Sequence, residues 1–311
     1  MNYFWNFIKF KIDLSKTFFN IFYTLCSLIL INELPNNYAL GETMRKVALK
    51  VAYIGTDFHG FQRQPDFKTV EGELIDALKN ANLIDNLKDS GYAIAGRTDR
   101  GVHALGNVVS FRTEEDVIIN QINDFLPKSI RILAKAGVRF GFKPRFAKYR
   151  HYRYTVVNND HLNLNKIKEA SEIFQGTHDF SNFSKRSERN PVRTIDTIEV
   201  KVDNNLLIID VIGESFLWNM VRKIATTLFL VGNDELSIEK LQTFFDTSTT
   251  SAITPMPPEG LILMDTIYEG VVFRYDEYAK NKFLSALMEE YTYNRTIAAA
   301  EKIMMDELIG H

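Results

Sequence analysis

The sequence predicts an α+β protein made of two split-βαβ, ferredoxin-like halves, and three observations point to it. Between residues 45 and 138 the apolar pattern runs strand, helix, strand, strand, helix, strand, the order of a split βαβ unit. From 152 to 267 the same order recurs more loosely. The third observation is composition: 45% hydrophobic and 24% charged residues over 311 positions suit a globular chain long enough for two packed units. Each unit is expected to carry helices on one face of its sheet and to leave the other face open.

Residues 45–53 alternate around Val47, Leu49 and Val51, as a strand with one buried face does. Thr69 is placed to N-cap a helix whose Val70, Leu74, Ala77, Leu78 and Ala81 share one apolar face. Residues 92–95 and 108–111 are short apolar runs of buried-strand character. Val117, Ile118, Ile122, Phe125 and Leu126 mark a second helix, stopped at Pro127, and 130–138 reads as a strand.

In the second half 152–157 alternates as a strand. Residues 165–175 form a helix with Ile167, Ala170 and Phe174 inward, closed by Gly176. Residues 195–202 and 206–212 are strands joined by the turn Asp203-Asn204-Asn205. A long apolar helix over 216–231 ends at Gly232, a shorter one covers 238–245, and 261–267 is the closing strand. The tail from 275 is helical, with Phe283, Leu287 and Met288 on one side.

Composition also narrows the function. A net charge of −2 means that no global basic field advertises a nucleic acid, so such a partner must be held by local patches. A single cysteine, Cys26, excludes an internal disulfide framework and any cysteine-based metal cluster. The six histidines (59, 103, 151, 161, 178, 311) show no HxxxH or HExxH spacing, so no metal is expected. Residues 1–43 differ from the rest. Residues 17–31 are nearly unbroken apolar sequence behind Lys9, Lys11 and Lys16, yet shorter than the ~20 residues of a membrane span. An over-extended start, with Met44 as the true first residue, a membrane anchor within 1–31 and a secretion signal all remain open there.

The stretch 91–111, GYAIAGRTDRGVHALGNVVSF, organises the chain. Its two apolar runs flank a glycine-bracketed bend that carries Asp99 between Arg97 and Arg100. Opposite charges on either side favour the charged form, so Asp99 is expected to be ionised at neutral pH. On residue types alone this is an ordinary charged turn. However, GRTDRGVHALGNVVSF resembles the signature loop of the TruA-type tRNA pseudouridine synthases, and the resemblance extends over about 46–268. It implies two ferredoxin-like halves, 44–148 and 149–274, whose sheets join around a central RNA-binding cleft, with 275–311 as a helical tail.

The same resemblance implies residue roles. Asp99 becomes the catalytic nucleophile, while Arg97, Thr98 and His103 of its loop sit at the substrate, His103 as a brace. GTDFHGFQRQP (55–65) is similar to a family segment and puts Arg63 near RNA, although Ile54 replaces a usual Asp; Phe58, Phe61 and Arg63 read equally as a packed loop. FKPRF and RHYRY match family elements that assign the active-site tyrosine to Tyr152 and an RNA contact to Arg145. They lie in 139–153, where six Lys or Arg residues interleave with aromatics, suited to phosphates and bases or to a solvated edge. A second basic stretch, 185–193, ends at Arg193 and resembles another RNA-facing loop, or is simply a surface loop. FLWNMVRKI resembles the motif whose arginine, here Arg222, pairs with the aspartate; Asn219, Arg222, Lys223 and Thr226 otherwise form a stripe facing water. Arg100, Asn107 and Trp218 depart from the family pattern and bear on site selection.

The implied reaction converts uridine to pseudouridine in the anticodon stem-loop, at tRNA positions 38–40, in a cytoplasmic homodimer. Breaking N1–C1′ and joining C5 to C1′ involves no redox step and no acceptor, so no cofactor is required. The target must be flipped out to meet Asp99, for which attack at C1′, addition at C6 and removal of a sugar proton are all open routes. A catalytically silent RNA-binding protein of the same fold and a membrane-tethered protein are the alternative readings.

Overall fold

The computed structural model describes residues 44–158, 162–184, 190–248, 250 and 252–310. The apolar extension 1–43 and the core of the second basic stretch, 185–189, lie outside the described residues. Within them the chain is a mixed α/β protein built on a ten-stranded, mostly antiparallel sheet.

Strand β1 (Arg45–Tyr53) lies between β3 (His103–Thr113) and β4 (Ile130–Gly137), antiparallel to both. The two-residue β2 (Ala93–Ile94) adds to β3, and β10 (Arg274–Tyr275) adds to β4. Further along, β5 (Tyr149–Val157) pairs with β8 (Leu206–Gly213), β8 with β7 (Val192–Asp203), and β7 with β6 (Gly176–Asp179). β9 (Leu261–Ile267) is the seam: it runs antiparallel to β5 and parallel to β3, with His103 and Ala104 opposite Ile262 and Leu263. The β7–β8 hairpin turns on Asn204 and Asn205, both at positive φ, the conformation a two-residue hairpin loop demands.

Alternation along β1 decides the layering. Leu49, Val51 and Tyr53 enter one core with Leu74 and Leu78 of α1 (Val70–Asn80), whose start is capped by Thr69 accepting from Gly72 N at 3.2 Å. α2 (Ile119–Asn123), α3 (Leu164–Glu172), α4 (Met220–Gly232) and α5 (Ile238–Gln242) contribute to the same core. The opposite face is not open. Ala48, Ala95 and Val108 are covered by Phe142, Ala147 and Tyr268, and Ala52 and Leu133 by Phe283 of α6 (Glu277–Ile309). Small apolar residues on that face need a cover, and the segments after β4 and β9 supply it.

Several expected elements shift. The helix predicted over 216–231 begins only at Met220, because Asn219 adopts a left-handed conformation (φ 63) that a continuous helix does not admit. Residues 217–220 instead form a turn at the site described below, closed by Met220 N donating to Leu217 O at 3.1 Å. Helix 165–175 stops at Glu172, so Gly176 does not close it but opens β6, a strand too short and polar to show in the pattern. The second predicted helix contracts to α2. In α6, Phe283 is buried while Leu287 and Met288 are exposed. Among the described residues no helix is long and apolar enough to cross a membrane.

Candidate active site

The bend between β2 and β3 is built as a tight turn, with Val102 N donating to Asp99 O at 3.2 Å and Gly101 at φ 85, a region glycine occupies without steric penalty. Three contacts brace it from behind. Tyr53, wholly buried on β1, shares a 2.8 Å hydrogen bond with Thr98 Oγ1. Asn107 Nδ2 donates to Tyr53 Oη at 3.2 Å and to Gly96 O at 3.1 Å. Gly101 N donates to Gly55 O at 3.3 Å while Gly55 N donates to His103 Nδ1 at 3.1 Å. His103 therefore carries its proton on Nε2, and burial pushes its pKa below the ordinary value against the pull of Glu259. This histidine braces the loop from the β3 side.

Asp99 projects from this platform into a cavity of about 380 Å³ lined by Arg97, Thr98, Tyr152, Phe216, Trp218 and Arg222 among others. Arg222 Nη1 lies 3.3 Å from Asp99 Oδ2, and Trp218 Nε1 donates to Asp99 Oδ1 at 2.7 Å. Each carboxylate oxygen thus faces a different donor. Arg222 donates also from Nη1 to Asn219 Oδ1 (2.9 Å) and from Nε to Met256 O (2.7 Å). Tyr152 enters from β5, buried edge-on against Phe216 with ring centroids 5.2 Å apart. Burial pushes its phenol up to about 12, with Arg150 opposing and the Asp99 charge adding.

Of the residues singled out in the sequence, Arg97, Thr98, Asp99, Tyr152 and Arg222 meet at this cavity. Arg63, His103, Arg145 and Arg193 are not among its lining residues. Arg63 is exposed, and Arg145 is exposed with its guanidinium 4.4 Å from the Phe146 ring. Arg193 turns its Nη1 back to Asn190 O and Val192 O, both at 2.7 Å. Phe58 and Phe61 are buried, so these two belong to the core and not to a surface for RNA.

The basic stretch divides. Arg139, Lys143, Arg145 and Lys148 are exposed beside Phe140 and Phe146. Arg150, by contrast, is buried against Glu214 O, Ala95 O and Arg145 O, and Arg153 grips Asp210 with Nε at 2.8 Å and Nη2 at 3.0 Å. The polar stripe of α4 does not face water either. Arg222 and Thr226 bind the carbonyls of Met256 and Thr254, and Lys223 Nζ those of Asn182 and Ser184. The strap 254–260 was silent in the sequence because it contributes main-chain carbonyls, which no side-chain pattern reveals. Trp218 was visible only as an oddity. Among the described residues no three His, Cys, Asp or Glu side chains converge as a metal site.

The chain is similar to several known proteins. A family model described as tRNA pseudouridine synthase matches residues 170–269. A protein from Methanothermobacter thermautotrophicus named tRNA pseudouridine synthase A is 51% identical over 266 residues, spanning 85% of this chain and 97% of that one. A protein of the same name from Methanobrevibacter smithii is 48% identical, over 79% of this chain and 91% of that one. A crystal structure of a Cbf5-Nop10-Gar1 complex overlays at a TM-score of 0.33 with 15% identity, covering 59% of this chain and 44% of that chain, too distant to carry an argument.

Proposed function

The chain belongs to the tRNA pseudouridine synthase A family, isomerases that act on tRNA, and we propose that Asp99 is the nucleophile of that isomerisation in this protein. The carrying observation is convergence: Asp99 from the β2–β3 bend, Tyr152 from β5 and Arg222 from α4 face one cavity of about 380 Å³. That volume lies within the ~300–1,000 Å³ range of small-ligand sites and suits one extruded nucleotide.

In this reading N1–C1′ breaks, the uracil turns within the cavity, C5 bonds to C1′, and the C5 proton leaves as N1 gains one. Arg222 aims the Asp99 carboxylate. Tyr152 walls the uracil, and its protonated phenol serves as a donor rather than as a base. Thr98 and His103 fix the bend, and Arg97 faces the incoming phosphates. Arg63, Arg145 and Arg193, none of which lines the cavity, act as contacts for the tRNA backbone.

The substrate is taken to be the anticodon stem-loop at positions 38–40, read by a homodimer in the cytoplasm. Two ferredoxin-like halves, 44–148 and 149–274, with a cleft between them, are supported by strand order. β4-β1-β3-β2 and β9-β5-β8-β7 repeat one pattern, with β9 at the seam. Mapping pseudouridine in tRNA from a deletion strain complemented with wild type or Asp99→Asn tests the reading. Wild type should restore the modification and the variant should not, while still binding tRNA. A fully active variant would remove the nucleophile assignment.

A further inference from the structure

Arg150 lies two positions before Tyr152 on β5, and strand alternation turns both side chains to the same face. It is 7% exposed, so its guanidinium is kept from the solvent that a cation otherwise seeks. Among the described residues its hydrogen bonds go to main-chain carbonyls and to no carboxylate. Nη1 donates to Glu214 O, and Nη2 donates to Ala95 O and to Arg145 O, both at 2.9 Å. Burying a charge without a counter-ion costs free energy, so the three carbonyls are what the residue is there to hold.

Those carbonyls belong to three segments of the site. Ala95 immediately precedes Gly96, where the Asp99 bend begins. Glu214 follows β8 and leads into Phe216 and the turn 217–220, from which Trp218 donates to Asp99. Arg145 lies in the exposed basic stretch, whose Phe142 and Ala147 pack with Ala95 on the covered sheet face. A guanidinium is a rigid planar fork, so its acceptors keep fixed mutual directions, which the rotating ammonium of a lysine does not impose. Resting on the reading of Asp99 as nucleophile and of Arg145 as a tRNA contact, we propose that Arg150 is a positioning residue for the isomerisation. It fixes the main chain of the tRNA-contacting stretch to that of the Asp99 bend and of the turn at the cavity wall. A tRNA seated on Arg145 is thereby held in register with the carboxylate, although Arg150 is not among the residues that line the cavity.

The test uses the full chain with tRNA as substrate. Arg150→Lys keeps the charge and loses the fork, while Arg150→Gln loses both and keeps an amide donor. Each is assayed below its own Tm, on protein with the wild-type far-UV spectrum, by single-turnover rate and by filter binding. Misplacing reacting groups by about 1 Å costs up to about 100-fold, so the rate should fall about tenfold in Arg150→Lys and about 100-fold in Arg150→Gln, with tRNA affinity within about twofold. A role in stability alone would lower Tm and leave the folded variants at the wild-type rate, and that result overturns the proposal. Weaker tRNA binding at an unchanged rate overturns it too, since Arg150 would then support the tRNA surface only. If neither variant folds at any temperature, Arg150 is a determinant of the fold and the positioning role falls. An unaltered chain that forms no pseudouridine on tRNA, or a fully active Asp99→Asn, sinks instead the functional reading beneath the proposal, and either result is obtained without touching Arg150.

Discussion

Arg222 meets Asp99 across 123 positions of sequence, Nη1 to Oδ2 at 3.3 Å, after its guanidinium has already been fixed by Met256 O and Asn219 Oδ1. The arginine is the more buried partner, with 12% of its side chain exposed against 31% for the aspartate. A cation held from two sides cannot relax away from the carboxylate, so the charge that Asp99 feels is set before substrate arrives.

Removing that cation should therefore act on turnover more than on binding. Arg222→Ala is expected to lower kcat by about 100-fold or more while tRNA affinity changes little. Arg222→Lys restores charge without the planar fork and should recover only part of the loss. Single-turnover kinetics and filter binding separate the two effects. Unchanged kinetics in Arg222→Ala would make the contact with Asp99 incidental.

The brace behind the bend predicts a graded loss of stability. Asn107 is fully buried and serves Tyr53 Oη, Gly96 O and, through Oδ1, Val108 N. Asn107→Ala strands these groups and should cost about 2–3 kcal/mol, whereas Tyr53→Phe removes one hydroxyl and should cost about 1–2 kcal/mol. Urea denaturation at pH 7 measures both. Equal losses would mean that Asn107 does not anchor the network.

These residues also mark what could be read from the chain. The bend carrying Asp99 was legible because its chemistry is local: glycines, a carboxylate and flanking strands lie within a few positions. The strand at 261–267 was legible because one-sided burial writes itself as alternation, and those at 45–53 and 206–212 because they are densely apolar: residues 48–53 and 207–211 are buried without a break. The start of α4 was not, since residues 216–219 are apolar enough to continue a helix and only the left-handed Asn219 stops it. The cover over the second sheet face was equally hidden, because Phe142, Tyr268 and Phe283 come from segments with no periodicity tying them to Ala48 or Ala52. Arg150 read only as one cation of a basic stretch, for phosphates or for a solvated edge, because a sequence cannot distinguish an arginine bonded to buried carbonyls from one in solvent.

Close backbone approach makes Gly55 intolerant. A Cβ there would sit 2.0 Å from Val102 O, so the loop before α1 and the bend that carries Asp99 would have to part. At Gly141 the same atom would meet nothing within 4 Å. Gly55→Ala should lose activity and lower Tm, and Gly141→Ala should resemble wild type. Thermal melts with activity assays decide; a wild-type-like Gly55→Ala would show that the two loops move freely against each other.

Buried phenols set the alkaline limit. Burial pushes Tyr152 up to about 12, with Arg150 opposing and Asp99 adding, and pushes Tyr154 up to about 12, with Arg222 opposing and Glu259 adding. Tyr53 is also raised by burial, against the hydrogen bonds from Thr98 and Asn107. An unfolded tyrosine titrates near ~10, so between roughly pH 10 and 12 the unfolded chain gives up protons that the folded chain keeps. Stability is thus present in full below about pH 10 and falls as pH rises through the folded values. The urea midpoint should be flat from pH 7 to 9 and drop steeply above 10, with a shallower drop in Tyr152→Phe. Absorbance at 295 nm, compared between wild type and that variant, should show no Tyr152 phenolate below pH 10. An ionised Tyr152 near neutrality would instead make it a competent base for the C5 proton, and its part as a protonated wall beside Asp99 would have to be abandoned.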